Sequence, residues 1–595
     1  MNLRVYMNDW SMNMGIVGFL NILNHVDLKD EVTMKDNYIE FDSSILENFN
    51  KHYFKYFLDK DNIYKSINNN VIMKLNYIKS NHDKLKSTVE QLKKDLMYQN
   101  GKVKNYFKDD AKIISENLNL LKGIKKEEDL EHLNEIVNNC LEIFEKRYIN
   151  EKLTINKTRS YIGDNFFGQV SFLQKPRATL SIEEQAEFMY RDYILPILDY
   201  CNLNELLQKQ DIDKLIEFID KRLEDKNTSK AIEGIFKDIK KISKKNKDID
   251  LILNYYNSDN LKICEMCSDH KGIVSNYTEG HFSPLAVSGD NAMNMYWDMK
   301  LDFSICDICK LMLFCTPAGS NMVRKNYIKE GENEFYTFIN MDTSIDDLYN
   351  KNIIVRNAKD RDSVFKELIL DMVGENKKKS EWQLGNILFI EFKAIDSKKC
   401  TLNYFDIPTY SSKFFCDESK TLDSIKDKSL KLSVIDLILK ERDLKYLINE
   451  KIREKLTDSL NSSKGFYTST NDIYKVIKIR YTLDCYKKGG KEKVDEKKLK
   501  SVRYAGREIH DYYVQNNSKN KIDGIAYRLL NTAKVRNKKD FMDIILRLFM
   551  SCEKSVPTVF LDVMAEKELD FESIAYAFIS GLISEKYETN TMEGK

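Results

Sequence analysis

Leu3, Val5 and Met7 alternate with polar residues at the start of the chain, the period-two pattern of a strand. The apolar run from Ile16 to Leu23 predicts a buried helix, and Tyr38 to Phe41 a second short strand. Between about Ile63 and Ile149 the period lengthens to three and four. Val71, Leu75, Ile78, Leu85, Val89, Leu92 and Leu96 carry it first, then Leu118, Leu121, Leu130, Leu133, Ile136, Val137, Leu141 and Phe144. Such spacing predicts amphipathic helices, with the intervening Lys and Glu residues as their solvated face. Residues 154–180 mix basic, aromatic, Gly and Asn residues without helical periodicity, which predicts a loop-rich segment. Helical spacing returns over 183–253, with a Lys-rich break at Lys240 to Lys247. Strand-like runs follow at Glu334 to Ile339, Ile387 to Phe392 and Thr401 to Ile407. From about Leu422 the chain reads as helical again. Val434, Leu437, Ile438, Leu444, Leu447, Ile448, Ile452, Leu456 and Leu460 predict one long amphipathic helix, and the last 150 residues predict a helical bundle.

These elements predict an α+β fold that is predominantly helical. An N-terminal mixed α/β region over 1–425 carries an inserted four-Cys zinc subdomain at about 260–320, and a C-terminal helical bundle occupies 426–595. A length of 595 residues agrees with several domains. Only 6 Pro and 21 Gly argue against disorder and against a turn-rich all-β chain. The 94 Lys and Arg nearly cancel the 93 Asp and Glu, so no uniform basic coat exists, although local patches remain open. No stretch has transmembrane length or the form of a secretion signal, which predicts a cytoplasmic protein with no membrane partner.

Seven of the 11 Cys are scattered singly, and the other four form two CxxC pairs, Cys264/Cys267 and Cys306/Cys309. Each pair presents two thiolates to one metal, and two pairs complete a tetrahedral zinc site. Four thiolates leave no open position for water or substrate, which makes the expected Zn²⁺ structural. Its binding energy is expected to help fold a loop-rich region with no large core of its own. His270, His281 and Cys315 stand nearby as substitute ligands. A second layout places a catalytic His and Asn between two such pairs, as in His-Asn-His nucleases. His281 and Asn291 resemble it in part, but Gly280 stands where an acidic residue is usual and Lys310 where Asn is frequent. The chain has no GxxxxGK[ST] loop, GxSxG elbow or HExxH helix.

Several segments together resemble the large subunit of the type I-B CRISPR surveillance complex, Cascade (the Cst-one, or Cas-eight-b, family). The first is Asp9-Trp10-Ser11-Met12-Asn13-Met14-Gly15-Ile16-Val17-Gly18-Phe19-Leu20. The second joins Asn165-Phe166-Phe167-Gly168 to Ser171-Phe172-Leu173. The third runs from the first CxxC through Phe282-Ser283-Pro284-Leu285 and the second CxxC to Thr316-Pro317-Ala318-Gly319. Tyr504-Ala505-Gly506-Arg507 is a fourth. The third block ends on Ser320, where an aromatic residue is expected. The resemblance implies a non-enzymatic subunit, with Cys264, Cys267, Cys306 and Cys309 as zinc ligands. Its implied partners are the guide RNA (crRNA) near its 5′ end, target double-stranded DNA, the backbone and foot subunits, the small subunit and the Cas-three helicase–nuclease. Such a subunit helps recognise the flanking motif (PAM), supports R-loop formation and recruits the helicase–nuclease in antiviral defence, while guide pairing reads the target. The alternatives are a zinc-containing His-Asn-His-like nuclease and a nucleic-acid-binding protein outside CRISPR.

Phosphate contacts need Lys and Arg, and two regions supply them. Around residues 157–177, Lys157, Arg159, Asn165, Gln169, Lys175 and Arg177 accompany Tyr161, Phe166 and Phe167, a mixture suited to an opened duplex. Residues 440–540 carry 26 Lys and Arg against 14 Asp and Glu, whereas the following 55 residues carry 5 against 10. Lys475, Lys478, Arg480, Arg503, Arg507, Arg528, Lys534 and Arg536 are the candidates there for tracking a nucleic-acid backbone.

Overall fold

A computed structural model describes residues 1–124, 126–168, 170–245, 248–258, 261–271, 273–278, 302–324, 334–357, 387–396, 399–458, 468–488, 496–565 and 569–584. Helices dominate, with three small sheets, as the α+β expectation has it. The chain divides into two compact units. The first comprises Met1–Met322, Ile328–Asn352 and Ile390–Asn403, and the second Val323–Tyr327, Ile353–Phe389 and Tyr404–Lys595. Among the described residues no helix is long and apolar enough to cross a membrane.

In the first unit, strand Asn2–Tyr6 pairs antiparallel with Tyr38–Asp42, which also pairs with Thr33–Met34. Leu3 lies opposite Phe41 and Val5 opposite Ile39, and all four are buried, so the period-two pattern marks the inner face. Helix Trp10–Asn24 follows at once. Asp9 caps it by accepting from the Met12 N–H at 2.8 Å, and Ser11 to Leu23 are all buried. A helix buried all round has no polar face to display, which explains an apolar run broken only by Gly18 and by Asn21, whose amide bonds a buried carbonyl. Helices Ile63–Ser80, Leu85–Lys104, Lys108–Leu120 and Leu130–Glu145 share a core with the start of Arg147–Asn165. The periodic residues fill it, apart from Leu75 and Leu130, which pack half-buried against it. Strands Asn321–Arg324, Glu334–Met341, Ile387–Asp396 and Lys399–Asp406 form a four-stranded sheet in that order; the last three fall where strand-like runs were expected, and the first adds to them.

Three local expectations are corrected. Residues 154–165 are not loop but the second half of helix Arg147–Asn165. Its inner face mixes Ile155 and Ile162 with polar residues: Thr154 accepts from Ile63 N, Thr158 donates to Asp61, and Arg159 is buried, so the apolar period is diluted while the helix remains. Only beyond it does the chain turn irregular, in two 3-10 segments, Ser171–Leu173 and Lys175–Thr179. The break expected over Lys240 to Lys247 starts later: helix Lys230–Lys245 runs on through Lys240 and ends at Lys245, and a new helix covers Ile249–Asn257. The long helix expected over 434–460 is two helices, Lys428–Leu439 and Lys445–Asp458. Glu441 turns between them at φ 52°, while Arg442 N bonds back to Leu437 O at 2.8 Å. Leu430, Val434, Leu444 and Ile448 are buried on both sides of the turn, so the apolar period continues through it.

In the second unit, Thr470–Lys487, Glu496–Gln515, Asn520–Lys534 and Lys538–Ser551 surround Phe571–Leu582, a helix buried at every position. Its Gly581 lies against Glu496–Gln515 so closely that a Cβ would stand 2.0 Å from the Arg503 carbonyl oxygen, and one on Gly506 would stand 2.2 Å from that of Phe578. The first unit uses the same device. A Cβ on Gly18 would stand 1.9 Å from the Cys315 carbonyl oxygen, one on Gly15 2.3 Å from that of Met312, and one on Gly319 1.9 Å from that of Met14.

Gly18→Ala is therefore expected to force two backbones apart and destabilise the protein by about 2–3 kcal/mol or more. Gly101→Ala, in a helix where the new methyl meets nothing within 4 Å, is expected to be neutral or to stabilise by about 0.5–1 kcal/mol. Thermal unfolding of the two variants side by side checks both.

Candidate metal centre

Two different local structures supply the four sulfurs. Cys264 and Cys267 lie in a tight turn closed by the bridge Ile263↔Lys271 and by the Cys264 N to His270 O bond at 3.0 Å. Ser268 completes the turn at φ 55°. Cys306 and Cys309 belong to a strand-to-helix junction. Strand Asp302–Cys306 pairs with Val274–Thr278, Cys306 opposite Val274, and Cys306 then caps helix Asp307–Phe314, with its sulfur accepting from Cys309 N at 3.4 Å. Cys309 sits in the first turn of that helix, where Cys264, Cys267 and Cys306, and then burial, push its thiol well above the usual range.

The four Sγ atoms lie within 4.8 Å of one another. Cys264 to Cys309 and Cys267 to Cys306 are each 3.9 Å apart. A tetrahedron with metal–sulfur bonds of about 2.3 Å has edges of about 3.8 Å, so the spacing fits a shared metal ion. None of the four is in a disulfide. Cys264 Sγ also accepts from Cys306 N at 3.2 Å and Cys267 N at 3.5 Å, the N–H···S bonds that a ligating thiolate needs. Cys264, Cys306 and Cys309 are buried and Cys267 is half-buried. Neighbouring Cys264, Cys306 and Cys309 hold the Cys267 thiol well below its usual range, while Cys306 is pushed above it, by burial first and then by Cys264 and Cys267. Four thiols this close compete for protons, and a divalent cation removes the competition by taking all four as thiolates.

The surroundings correct the expectation that this region lacks a large core. Helix Asp307–Phe314 is buried except at Lys310, which pairs with buried Asp307 at 3.2 Å. Phe314 stacks on Tyr193 at 4.1 Å and Tyr53 at 5.5 Å, and Phe167 and Phe172 lie 5.0 and 5.9 Å away. Asn21 and Tyr56 donate to the Ala318 carbonyl, and Tyr53 to that of Phe314. Asn8, just before the N-terminal helix, donates to Met266 O inside the first CxxC at 2.7 Å. Glu265 and Ser304 exchange two hydrogen bonds of 2.8 and 2.7 Å, tying the two cysteine pairs together. Ser320, where an aromatic residue was expected, is buried and donates to Pro317 O. The sequence blocks around Asp9, Phe166 and Cys306 therefore meet in one core. Asn8, Gly15, Gly18 and Gly319 are the contributors that metal-ligand spacing does not reveal; the small-residue spacing Gly15-x-x-Gly18 was their signal.

The candidate nucleic-acid residues divide. Arg159 is buried, with its guanidinium bonded to the carbonyls of Phe172, Leu173 and Gln174 and to Gln185. Asn165 is turned inward, accepting from Ala394 N and donating to Tyr161 O. Phe166 and Phe167 are buried and Tyr161 bonds Asp61 at 2.6 Å, so these aromatics pack the core instead of standing free to stack on bases. Arg177 lies 3.8 Å over the Phe188 ring, near Asp192, while Lys157 and Lys175 are exposed. In the second unit Arg480 is buried between Asp443 and Asp570. Burial opposes its charge, and the two carboxylates outweigh burial and raise its pKa. Lys475 pairs with Asp472, Lys478 with Glu496 and Arg536 with buried Glu572. Arg503 lies over Tyr474 at 4.4 Å and donates to Asn471, Arg507 is half-exposed and Arg528 is exposed. Lys534 is exposed as well. Gln169, His281, Phe282 to Leu285 and Asn291 lie outside the described residues.

The correction for Arg159 and Arg480 is physical: an Arg whose donors are taken by internal partners has none left for a phosphate. Arg480→Gln is expected to cost about 3 kcal/mol, because it strips the cation from two carboxylates. Arg528→Glu is expected to leave stability within about 0.5 kcal/mol. Chemical denaturation of the two variants separates the roles.

No curated protein and no solved structure matches the chain significantly. Residues 257–321, which hold all four sulfurs and the helix that carries two of them, match the family model described as CRISPR-associated protein (Cas_CXXC_CXXC), so this segment is of a CRISPR-associated kind.

Proposed function

We propose that the metal is Zn²⁺ in a structural role and that the chain is the large, non-catalytic subunit of a type I-B CRISPR surveillance complex. The carrying observation is the convergence of four sulfurs at tetrahedral spacing inside a segment that matches a CRISPR-associated family. A saturated thiolate set supports a scaffold, since it has no position left for an attacking water. Three of the four blocks that resemble the large subunit, those around Asp9, Phe166 and Cys306, meet around the same helix, which supports reading them as one structural unit.

In this reading guide RNA and the backbone and foot subunits hold the protein, and the protein contributes to flanking-motif recognition, R-loop formation and recruitment of the Cas-three helicase–nuclease. The surfaces that suit the work are narrower than the sequence suggests. Lys157 remains exposed in the first unit. In the second, Arg507 and Arg528 neighbour Tyr504 and Tyr527, which are 52% and 40% exposed, and Lys500 lies over the Tyr504 ring. Exposed tyrosine beside unburied cations suits a strand whose phosphates and bases are both accessible.

Co-expression with guide RNA and backbone subunits is expected to give a complex that retains this chain and binds target duplex, with no DNA cleavage by the chain itself in Mg²⁺. Failure to co-purify defeats the assignment. Within that complex Arg503→Glu, Arg507→Glu and Arg528→Glu together are expected to weaken target binding and to flatten the log–log salt dependence by about one unit for each phosphate that is no longer neutralised. An unchanged affinity and slope would remove the patch from the mechanism.

Metal content checks the centre separately. The wild-type chain is expected to carry one equivalent of zinc, and Cys306→Ser, which alters both a ligand and a helix cap, is expected to lose most of it and to expose the N-terminal helix to proteolysis.

A further inference from the structure

His270 lies outside the four-sulfur cluster, yet its Nδ1 is 3.4 Å from Cys267 Sγ. The residue is 7% exposed, and the Tyr200 ring meets the imidazole edge-on at 5.8 Å. Asp269 Oδ2 stands 4.0 Å from the same nitrogen, beyond hydrogen-bond distance, and is largely solvated. Backbone N–H groups serve the sulfurs of Cys264 and Cys306, whereas the nitrogen that reaches Cys267 belongs to a side chain. Cys267 is also the half-buried residue of the set, while the other three are buried.

We infer that His270 is a positioning residue that holds Cys267 on the metal, and that Cys267 is the ligand through which the metal leaves. A metal-bound thiolate has no proton and only accepts, so the imidazole must carry its hydrogen on Nδ1 and donate it to sulfur. Such a charge-assisted bond draws electron density from the sulfur, fixes its lone-pair direction and places a ring where water would otherwise approach. The His270 carbonyl meanwhile accepts from Cys264 N, so one residue closes the turn with its backbone and steadies the half-buried Cys267 with its side chain. Four sulfurs complete the tetrahedron, which leaves His270 outside the metal's own ligand set.

The inference rests on the metal-site reading above, and the test keeps the two apart. Full-length zinc-loaded protein is mixed with excess chromogenic chelator, and the release rate is compared for wild type, His270→Ala and His270→Asn. His270→Ala is expected to bind one equivalent but release it roughly ten times faster, in line with the 10–100-fold effects typical of outer-shell partners. His270→Asn, which retains an N–H, is expected to recover part of the difference. In the Co²⁺-substituted proteins the tetrathiolate charge-transfer bands are expected to shift without losing intensity. Alkylation mapped during release is expected to mark Cys267 first. Wild-type release from His270→Ala, first labelling at another of the four cysteines, or loss of a full ligand's share of the charge-transfer intensity each overturns the inference, the last by making His270 a ligand. A wild-type protein that takes up no metal defeats the metal-site reading instead.

Discussion

The approach of two backbones through glycine is the constraint on which the first unit depends. Helix Trp10–Asn24 and the segment from Met312 to Gly319 touch so closely that Gly15, Gly18 and Gly319 leave no room for a methyl group. Without Cβ atoms the helices pack main chain against main chain, and Asn21 then reaches the Ala318 carbonyl at 3.0 Å. The second CxxC stands on the helix seated this way. A shift of one residue in this crossing would carry Cys306 and Cys309 away from the turn that holds Cys264 and Cys267. The spacing of the four sulfurs is thus set by a crossing that contains none of the four cysteines.

On that base the two cysteine pairs are unequal. Cys306 and Cys309 belong to a buried strand-to-helix junction with Phe314 locked among aromatic rings. Cys264 and Cys267 occupy a turn whose attachments are a few hydrogen bonds, those of Asn8 and Glu265 among them, and the sulfurs themselves. A cation shared by both pairs stabilises mainly the turn, because the junction has a core of its own. The half-buried Cys267 and its neighbour His270 lie in that turn.

The polar chemistry is similarly divided between inside and outside. Arg159 caps three consecutive carbonyls where helix Arg147–Asn165 gives way to 3-10 turns, and Arg480 joins Asp443 to Asp570. Both are cations in segments rich in basic residues, and both are consumed by folding. A surplus of 12 positive charges over 440–540 therefore overstates the charge that a nucleic acid would meet. Arg507 and Arg528, beside exposed tyrosines, retain the freedom that binding requires.

Periodicity in the sequence was enough for the helices between Ile63 and Phe144, the first strand pair and the runs that became the four-stranded sheet, because in each the buried face is apolar and local spacing reports it. The two CxxC motifs were equally plain, since ligand type and separation are local properties. Helix Arg147–Asn165 was hidden because Thr154, Thr158 and Arg159 face inward and find partners that are distant in sequence. The turn at Glu441 was hidden because helices on either side of it bury apolar residues with the same period. By itself the sequence determined which residues could be helical, buried or metal-ligating. Only the tertiary structure decided that four cysteines separated by up to 45 residues meet at about 4 Å, which arginines keep their charge available, and that His270 stands beside a ligand rather than among the ligands. The reason is that each of these depends on the distance between groups remote in the chain, and packing around the glycine crossing fixes that distance for the cysteines.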